Sequence, residues 1–308
     1  MKKFYINSSD YQNLRVDKWL KRNFSTLKQS FIEKNIRKGN IKINKKKTSS
    51  NYRLKLNDII EIFNYSTDTY KNIDKFIYKK EIPSKYKKIF MSSILFENSD
   101  FIILDKWAGI ATQGGSKINI SIDDIIKNIS SKYNLVHRLD RETSGLLIIA
   151  KNLQTTKIFG KLFKEQLISK IYFAICQGTP HNKESEVKLL IENKKNLNKS
   201  SNSLTRYKVY QTNKNFSTLL FAPRTGKTHQ IRLVAKHLGT PIVGDTKYNK
   251  MIKNNAETLK LNACSLKFEI NNKNYEFSTN LPDHFKKFMQ KNSLKKIINF
   301  KLQCLKFF

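Results

Sequence analysis

Between Tyr65 and Lys88 the sequence loses every strong apolar rhythm. The run YSTDTYKNIDKFIYKKEIPSKYKK is polar, basic and weakly periodic, so it offers no continuous face to bury and reads as a linker. A chain broken at that point must build a core on each side. We therefore expect a small unit over residues 1–65, a linker over 66–88 and a larger unit over 89–308. The 308 residues, 39% of them hydrophobic, suffice for one sizeable core plus a small module.

In the small unit Val16, Trp19, Leu20 and Phe24 recur at helical spacing, followed by Leu27, Phe31 and Ile36. Thr26 is a candidate cap for the second helix and Gly39 its stop. Residues 41–43 and 59–63 read as short strands, so the unit is a small α/β module. Its helices and strands are studded with cations, among them Arg15, Lys18, Arg22, Lys34, Arg37 and Lys38. In the larger unit, residues 94–96, 101–104, 146–150, 171–176, 204–209 and 218–221 are strand candidates, and 121–130, 154–167 and 229–238 are helix candidates. They alternate without a regular βαβ rhythm, which predicts an α+β domain around a mixed, mainly antiparallel sheet. Residues 181–203, rich in Lys, Asn and Ser, predict a surface hairpin or mobile excursion.

Charge narrows the partners. Lys and Arg number 59 against 24 Asp and Glu, a net +35. A chain this basic is drawn to polyanions, and phosphate backbones are the obvious ones because each neutralised phosphate releases counterions. Overuse of Lys, Asn and Ile throughout inflates the figure, as an AT-rich gene would produce. No apolar run approaches a membrane span and no basic amphipathic helix stands out for a membrane surface. The start, MKKFYINSSDYQNL, has no apolar stretch behind its lysines. Cys176, Cys264 and Cys304 are widely spaced and form no CxxC. A reducing cytoplasm is the expected compartment.

Two stretches carry the chemistry. The first is Val136-His137-Arg138-Leu139-Asp140-Arg141-Glu142-Thr143-Ser144-Gly145, which runs straight into the apolar LLIIAK. Charges at the edge of a core must pair or be useful. A salt-bridged turn closed by Thr143, Ser144 and Gly145 satisfies that rule as well as an active site does. The second is TGKTHQIRLVAKHLG over residues 225–239. Ile231, Val234, Ala235 and Leu238 form its helical stripe, so Arg232 lies off the stripe and is free to reach a carboxylate. The Gly226-Lys227-Thr228 triplet ends like a phosphate-binding loop, but Phe221 stands where that loop needs glycine, which excludes a nucleotide cofactor of that type. No His or carboxylate cluster has metal spacing, and His137, His229 and His237 read as hydrogen-bonding residues.

Together these stretches resemble the RluA superfamily of pseudouridine synthases over residues 94–285. HRLDRETSGLLIIAK resembles its H-R-L-D-x-x-T-S-G-L-L motif, and TGKTHQIR with PIVGDTKY resembles its T-G-R-T-H-Q-I-R and P-I-x-G-D-x-x-Y motifs. FENSDFIILDKWAGIATQGG, Lys170-Ile171-Tyr172 and Leu261-Asn262-Ala263 are similar to weaker motifs of the family in register. Upstream, RVDKWLKRNFSTLKQSFIEKNIRKGNIKINKKK resembles an S4 RNA-binding domain through R-x-D-K-x-L and G-x-I-x-I-N. That pairing places the chain nearest the RluC and RluD branch, with RluC favoured. Two departures stand out: Trp107 replaces a usual Pro, and Lys227 replaces the Arg of TGRTHQ, which loses bidentate phosphate geometry.

The resemblance implies a cofactor-free isomerisation of uridine to pseudouridine in large-subunit (23S) ribosomal RNA. It assigns the carboxylate to Asp140, which acts on the base, on the sugar carbon or on a sugar proton. It assigns Arg232 as the cation that keeps Asp140 ionised, Tyr172 as the ring that stacks on the flipped base, and Arg138 as the group that fills the vacated space. His137, Lys227, Arg15, Lys18, Arg37 and Lys38 are the further RNA contacts it implies. A monomer is expected. The alternatives are a tRNA-acting synthase of the same superfamily and a non-catalytic S4-type ribosome assembly factor. Intact Asp140, Tyr172 and Arg232 weigh against the latter.

Overall fold

A computed structural model describes residues 1–8, 11–24, 27–70, 81–115, 118–192, 200–249 and 257–305. The chain divides into two compact units, Met1–Lys79 and Lys80–Phe308. The first is larger than the sequence suggests. Tyr70 is fully buried, stacks on Tyr65 at 5.2 Å and meets Phe24 edge-on at 5.4 Å. The second also begins earlier, because a helix over Ser84–Ser92 buries Phe90 in it. What remains of the expected linker, residues 71–80, lies outside the described residues.

The first unit contains β1 (Lys2–Tyr5), α1 (Val16–Asn23), α2 (Gln29–Lys38), β2 (Ile41–Ile43), β3 (Lys46–Lys47) and β4 (Ile59–Ile62). The strands form one sheet in the order β1-β4-β2-β3. Val16, Trp19, Leu20 and Phe24 pack with Ile32, Ile36, Ile41 and Ile60. The stripe of α2 runs through Ile32 and not Phe31, which is only partly buried. Thr26 lies outside the described residues; α2 starts after Lys28, with no side-chain cap. Gly39 ends it at φ 76°, a left-handed position that a Cβ would strain.

The second unit contains α3 (Ser84–Ser92), β5 (Ile94–Glu97), β6 (Phe101–Lys106), α4 (Ile122–Ile129), β7 (Asn134–Leu135), β8 (Ser144–Ala150), α5 (Leu153–Lys164), β9 (Ser169–Gln177), β10 (Glu184–Glu192), β11 (Ser200–Thr212), β12 (Phe216–Pro223), α6 (Gln230–His237), β13 (Leu261–Ile270), β14 (Lys273–Ser278), α7 (Asp283–Lys291) and α8 (Phe300–Leu305). Its ten-stranded sheet runs β10-β11-β12-β9-β13-β8-β6-β5, with β14 on β13 and β7 on β8. Among the described pairings between these strands only β8 with β13 is parallel, so the domain is α+β with a mixed, mainly antiparallel sheet. Residues 181–203 supply β10 and part of β11, paired from Glu184↔Lys208 to Glu192↔Ser200. They extend the sheet itself, and residues 193–199 lie outside the described set.

The period-two alternation of β9 decides which face carries function. Ile171, Phe173 and Ile175 pack with Phe285, Phe288 and Met289. Tyr172, Ala174 and Cys176 point the other way, to Ile231, Val234 and Ala235 of α6. Truncating a filled core position such as Phe285 to Ala costs about 3–5 kcal/mol. The parallel contact of β8 with β13 depends on Gly145, at φ 108°, where a Cβ would stand 2.3 Å from the Ala263 carbonyl oxygen. Ala263 pairs with Gly145 on one side and Tyr172 on the other. One backbone contact thus brings the charged loop before β8 beside the tyrosine of β9.

Candidate active site

Asp140 sits in a loop pinned from below. Leu139 is buried, and the Thr112 hydroxyl donates to its carbonyl at 2.6 Å and accepts from its N–H at 3.2 Å. Lys106, fully buried, donates from Nζ to the carbonyls of Trp107, Ile110 and Arg141 at 3.0, 3.1 and 3.2 Å. Burial pushes its ammonium down to about 7, opposed by Glu142 and Asp140. Arg141 Nε donates to the Gly109 carbonyl, and the Gly109 N–H donates back to the Arg141 carbonyl, both at 2.9 Å. With its neighbours tied down, the Asp140 carboxylate projects outward and keeps 28% exposure.

Its partners come from the second motif. Arg232 Nη1 lies 3.3 Å from Asp140 Oδ2. The tighter bond of Arg232, however, is a bidentate one to Asp245, Nε to Oδ2 at 2.7 Å and Nη2 to Oδ1 at 2.6 Å. Asp245 has no exposure and also accepts the N–H groups of Lys247 and Tyr248. Burial works against the Arg232 charge, but Asp245 and then Asp140 outweigh it and hold the guanidinium above its ordinary pKa. Arg232 is therefore shared, with Asp245 as its anchor and Asp140 as the carboxylate left with spare capacity.

The loop before α6 is set by Gln230. Its Oε1 accepts from the Thr225 hydroxyl at 2.7 Å and the Lys227 N–H at 3.0 Å, and its Nε2 donates to Leu204 and Thr205. His229 follows the loop with Nε2 3.7 Å from Asp140 Oδ2. Tyr172 completes the floor; burial, then Asp140, raises its hydroxyl pKa, so it stays protonated.

Asp140, Tyr172, Arg232, Arg138, His137 and Lys227 all line one cleft of about 470 Å³, within the usual range for a ligand of nucleotide size. Arg138 is exposed at its rim, with Nη1 3.5 Å from Gln113 Oε1, and Lys227 is exposed as well. His137 differs from what its sequence neighbours suggest. Its Nε2 accepts the Ile148 N–H at 2.8 Å, and its ring packs on Phe163 at 4.9 Å. Burial, then Lys170, pushes its pKa down to about 3. It is neutral and braces β8, so it brings no positive charge to a phosphate.

The remaining expected contacts lie in the first unit. Lys18, Arg37 and Lys38 are exposed there. Arg15 is engaged with buried Asp17, Nη2 to Oδ2 at 2.8 Å and Nε to Oδ1 at 3.1 Å, which compensates its charge. Among the described residues no group of three or more His, Cys, Asp or Glu could hold a metal ion, and no helix is long and apolar enough to cross a membrane.

Residues 100–237 match the family model described as RNA pseudouridylate synthase, a span that includes Asp140, Tyr172 and Arg232. Over 287 residues the chain is 39% identical to a protein of Rickettsia felis named ribosomal large subunit pseudouridine synthase C, covering 88% of this chain and 94% of that one. The chain belongs to the RNA pseudouridine synthase family. A protein of the same name from Buchnera aphidicola subsp. Schizaphis graminum is 34% identical over 86% of this chain and 88% of its own. The pseudouridine synthase fold recurs in the solved structure of human RNA pseudouridylate synthase domain containing 4, at TM-score 0.62 and 20% identity over 70% of this chain and 98% of that one.

Three contributors to this pseudouridine synthase cleft were given no role in the sequence reading. Asp245 carried a signal in PIVGDTKY, an acid directly after a glycine. Gly244, at φ 77°, would place a Cβ 2.3 Å from the Thr258 carbonyl oxygen, so it lets the chain turn closely enough to bury Asp245. Lys106 and Thr112 carried none, because what ties them to the Asp140 loop is the backbone of Arg141 and of Leu139, far along the chain.

Proposed function

We propose that this pseudouridine synthase isomerises specific uridines of large-subunit ribosomal RNA, with Asp140 as its reactive carboxylate and no cofactor. The observation that carries the reading is the convergence of Asp140, Tyr172 and Arg232 in one cleft. The names of the two relatives favour ribosomal RNA over transfer RNA as the target, and action on ribosomal RNA suits a cytoplasmic enzyme.

The geometry suits the chemistry. The target base must leave its stack, at a cost of a few kcal/mol, and Arg138 at the rim is placed to fill the gap. The extracted base lies against the Tyr172 ring. The N1–C1′ bond breaks, the ring turns, and C5 bonds to C1′. The chemistry uses the Asp140 carboxylate, and Arg232, itself fixed by Asp245, orients it. Lys227 meets the RNA backbone as a point charge. The first unit, with Lys18, Arg37 and Lys38 exposed, acts as an S4-like module that adds affinity and not chemistry.

The test is to map pseudouridines in cellular RNA with and without this gene, then to restore the loss with purified protein as a monomer. Loss of particular positions in large-subunit RNA, restored by the wild-type protein and not by Asp140→Asn, is the expected result. Loss confined to transfer RNA would reassign the substrate, and no loss in any RNA would end the reading.

A further inference from the structure

His229 also lines the cleft, and the isomerisation as proposed leaves it without a task. Its backbone is left-handed, φ 56° and ψ 22°, at the N-cap of α6, a conformation that non-glycine residues adopt sparingly. Its Nδ1 faces two donors, the Tyr248 hydroxyl at 2.9 Å and Lys247 Nζ at 3.2 Å. A ring nitrogen facing donors must be the acceptor, so the imidazole hydrogen belongs on Nε2. Nε2 looks toward Asp140 Oδ2 at 3.7 Å, too far for a hydrogen bond, on a side chain 21% exposed. The charges around the ring are Asp140 and Asp245 against Arg232 and Lys247, and burial, the largest influence, lowers its pKa. The ring is neutral, with a fixed N–H aimed into the space beside the reactive carboxylate.

We propose that His229 is a further catalytic residue, whose Nε2–H donates to a carbonyl oxygen of the uracil ring held against Asp140. The inference rests on the reading of this cleft as the site of uridine isomerisation. When the N1–C1′ bond breaks, its electron pair stays on the ring and spreads to the two carbonyl oxygens. C1′ is compensated by a bond to Asp140 or by loss of a C2′ proton to it. C5 then bonds to C1′ and loses its proton, N1 gains one, and any bond to Asp140 breaks with its electron pair returning to the carboxylate, or any C2′ proton removed is returned. A pre-aimed donor in a partly dry site stabilises the ring's transient charge most when that charge is largest, which accelerates the step. Tyr248 and Lys247 act through His229, as positioning residues that hold its tautomer.

The test uses the full-length enzyme under single-turnover conditions, on large-subunit RNA transcripts carrying uridine, 2-thiouridine or 4-thiouridine, with products separated as nucleosides. Sulfur is a weak hydrogen-bond acceptor. One of the two thio substitutions is expected to slow the wild type by about tenfold, and His229→Leu to slow turnover of uridine by about 10–100-fold with RNA affinity unchanged. In that variant the same thio substitution should add nothing further. His229→Gln, which returns an amide N–H to the position of Nε2, should recover part of the rate. His229→Asn, better suited to the left-handed backbone but too short, should not. If His229→Leu fails to fold, the order of Gln above Asn decides the matter. Independent, multiplying losses, or Asn equal to Gln at equal melting temperature, would overturn the proposal. A wild-type enzyme that makes no pseudouridine in any RNA would instead sink the functional reading beneath it.

Discussion

Asp17 in the first unit and Asp140 in the second each face an arginine, and the two pairs are built to opposite ends. Asp17 is buried, takes both prongs of Arg15 and accepts a further bond from Gln29 at 3.2 Å. Three side-chain donors hold it, so the pair braces the start of α1. Asp140 receives a single guanidinium contact at 3.3 Å while the bidentate grip of Arg232 goes to Asp245. An acid whose arginine is anchored elsewhere keeps lone pairs for something that arrives later. The sequence motifs R-x-D and H-R-L-D look alike in composition; what separates a brace from a reactive group is how completely the carboxylate is satisfied.

The comparison breaks first at Asp140. Asp140→Asn should cut turnover by about three orders of magnitude or more, a loss of roughly 4 kcal/mol in transition-state stabilisation, while RNA affinity persists because phosphate contacts dominate it. A melting temperature lowered with turnover per folded molecule intact would make Asp140 another brace. Next, Asp245→Asn should cost roughly 3–5 kcal/mol of stability, since it strands a buried guanidinium, and slow turnover by about 10–100-fold even in the folded fraction. The matched change Asp17→Asn should cost about 1–3 kcal/mol by denaturant titration and leave turnover on a short RNA fragment unchanged. Equal effects on turnover from the two would erase the contrast.

Smaller effects sharpen it. Lys18→Glu, Arg37→Glu and Lys38→Glu combined should weaken binding to structured ribosomal RNA and flatten its salt dependence, by about 0.7–0.9 in the log–log slope for each phosphate no longer neutralised. Binding isotherms at several salt concentrations measure this, and an unchanged slope would assign the first unit another purpose. A last effect, confined to stability and to acid pH, belongs to His137. Its folded pKa, about 3, lies below the ordinary 6.5. Between those values the unfolded chain binds a proton that the folded chain refuses. Stability should therefore fall as pH drops through that window, by about 1.4 kcal/mol per unit from this group. Denaturation of His137→Gln across pH 6.5 to 4.5 should show a shallower decline than the wild type.

The apolar periods that define α1, α4, α5 and α6 were plain in the sequence, because each helix buries one stripe and exposes the rest. β13 was not. LNACSLKFEI interrupts its apolar residues with Asn, Cys and Ser, yet Leu261 to Leu266 are buried on both faces beside β8 and β9, where alternation carries no signal. The extension of β11 to Ser200 and the pairing of β10 were hidden for another reason. Their lysines, asparagines and serines look like loop, and cross-strand hydrogen bonds overrode that propensity. In the site, Asp140, Tyr172 and Arg232 were legible through their motifs, whereas the bonds of Lys106 to Arg141, Thr112 to Leu139 and Gln230 to Leu204 join groups that only folding brings near.

By itself the sequence determined that two cores form, that the chain carries a large positive charge, and that a charged loop leads into a buried strand, since these follow from composition and local period. Which arginine contact belongs to which acid was decided by tertiary structure alone. Asp140 and Asp245 lie on different segments, and both come within reach of Arg232 only after Gly145 lets β8 close on β13 and Gly244 lets the chain fold down beside α6. Arg232 meets Asp245 at 2.6 Å and Asp140 at 3.3 Å, and no pattern along the chain encodes which acid takes the closer contact.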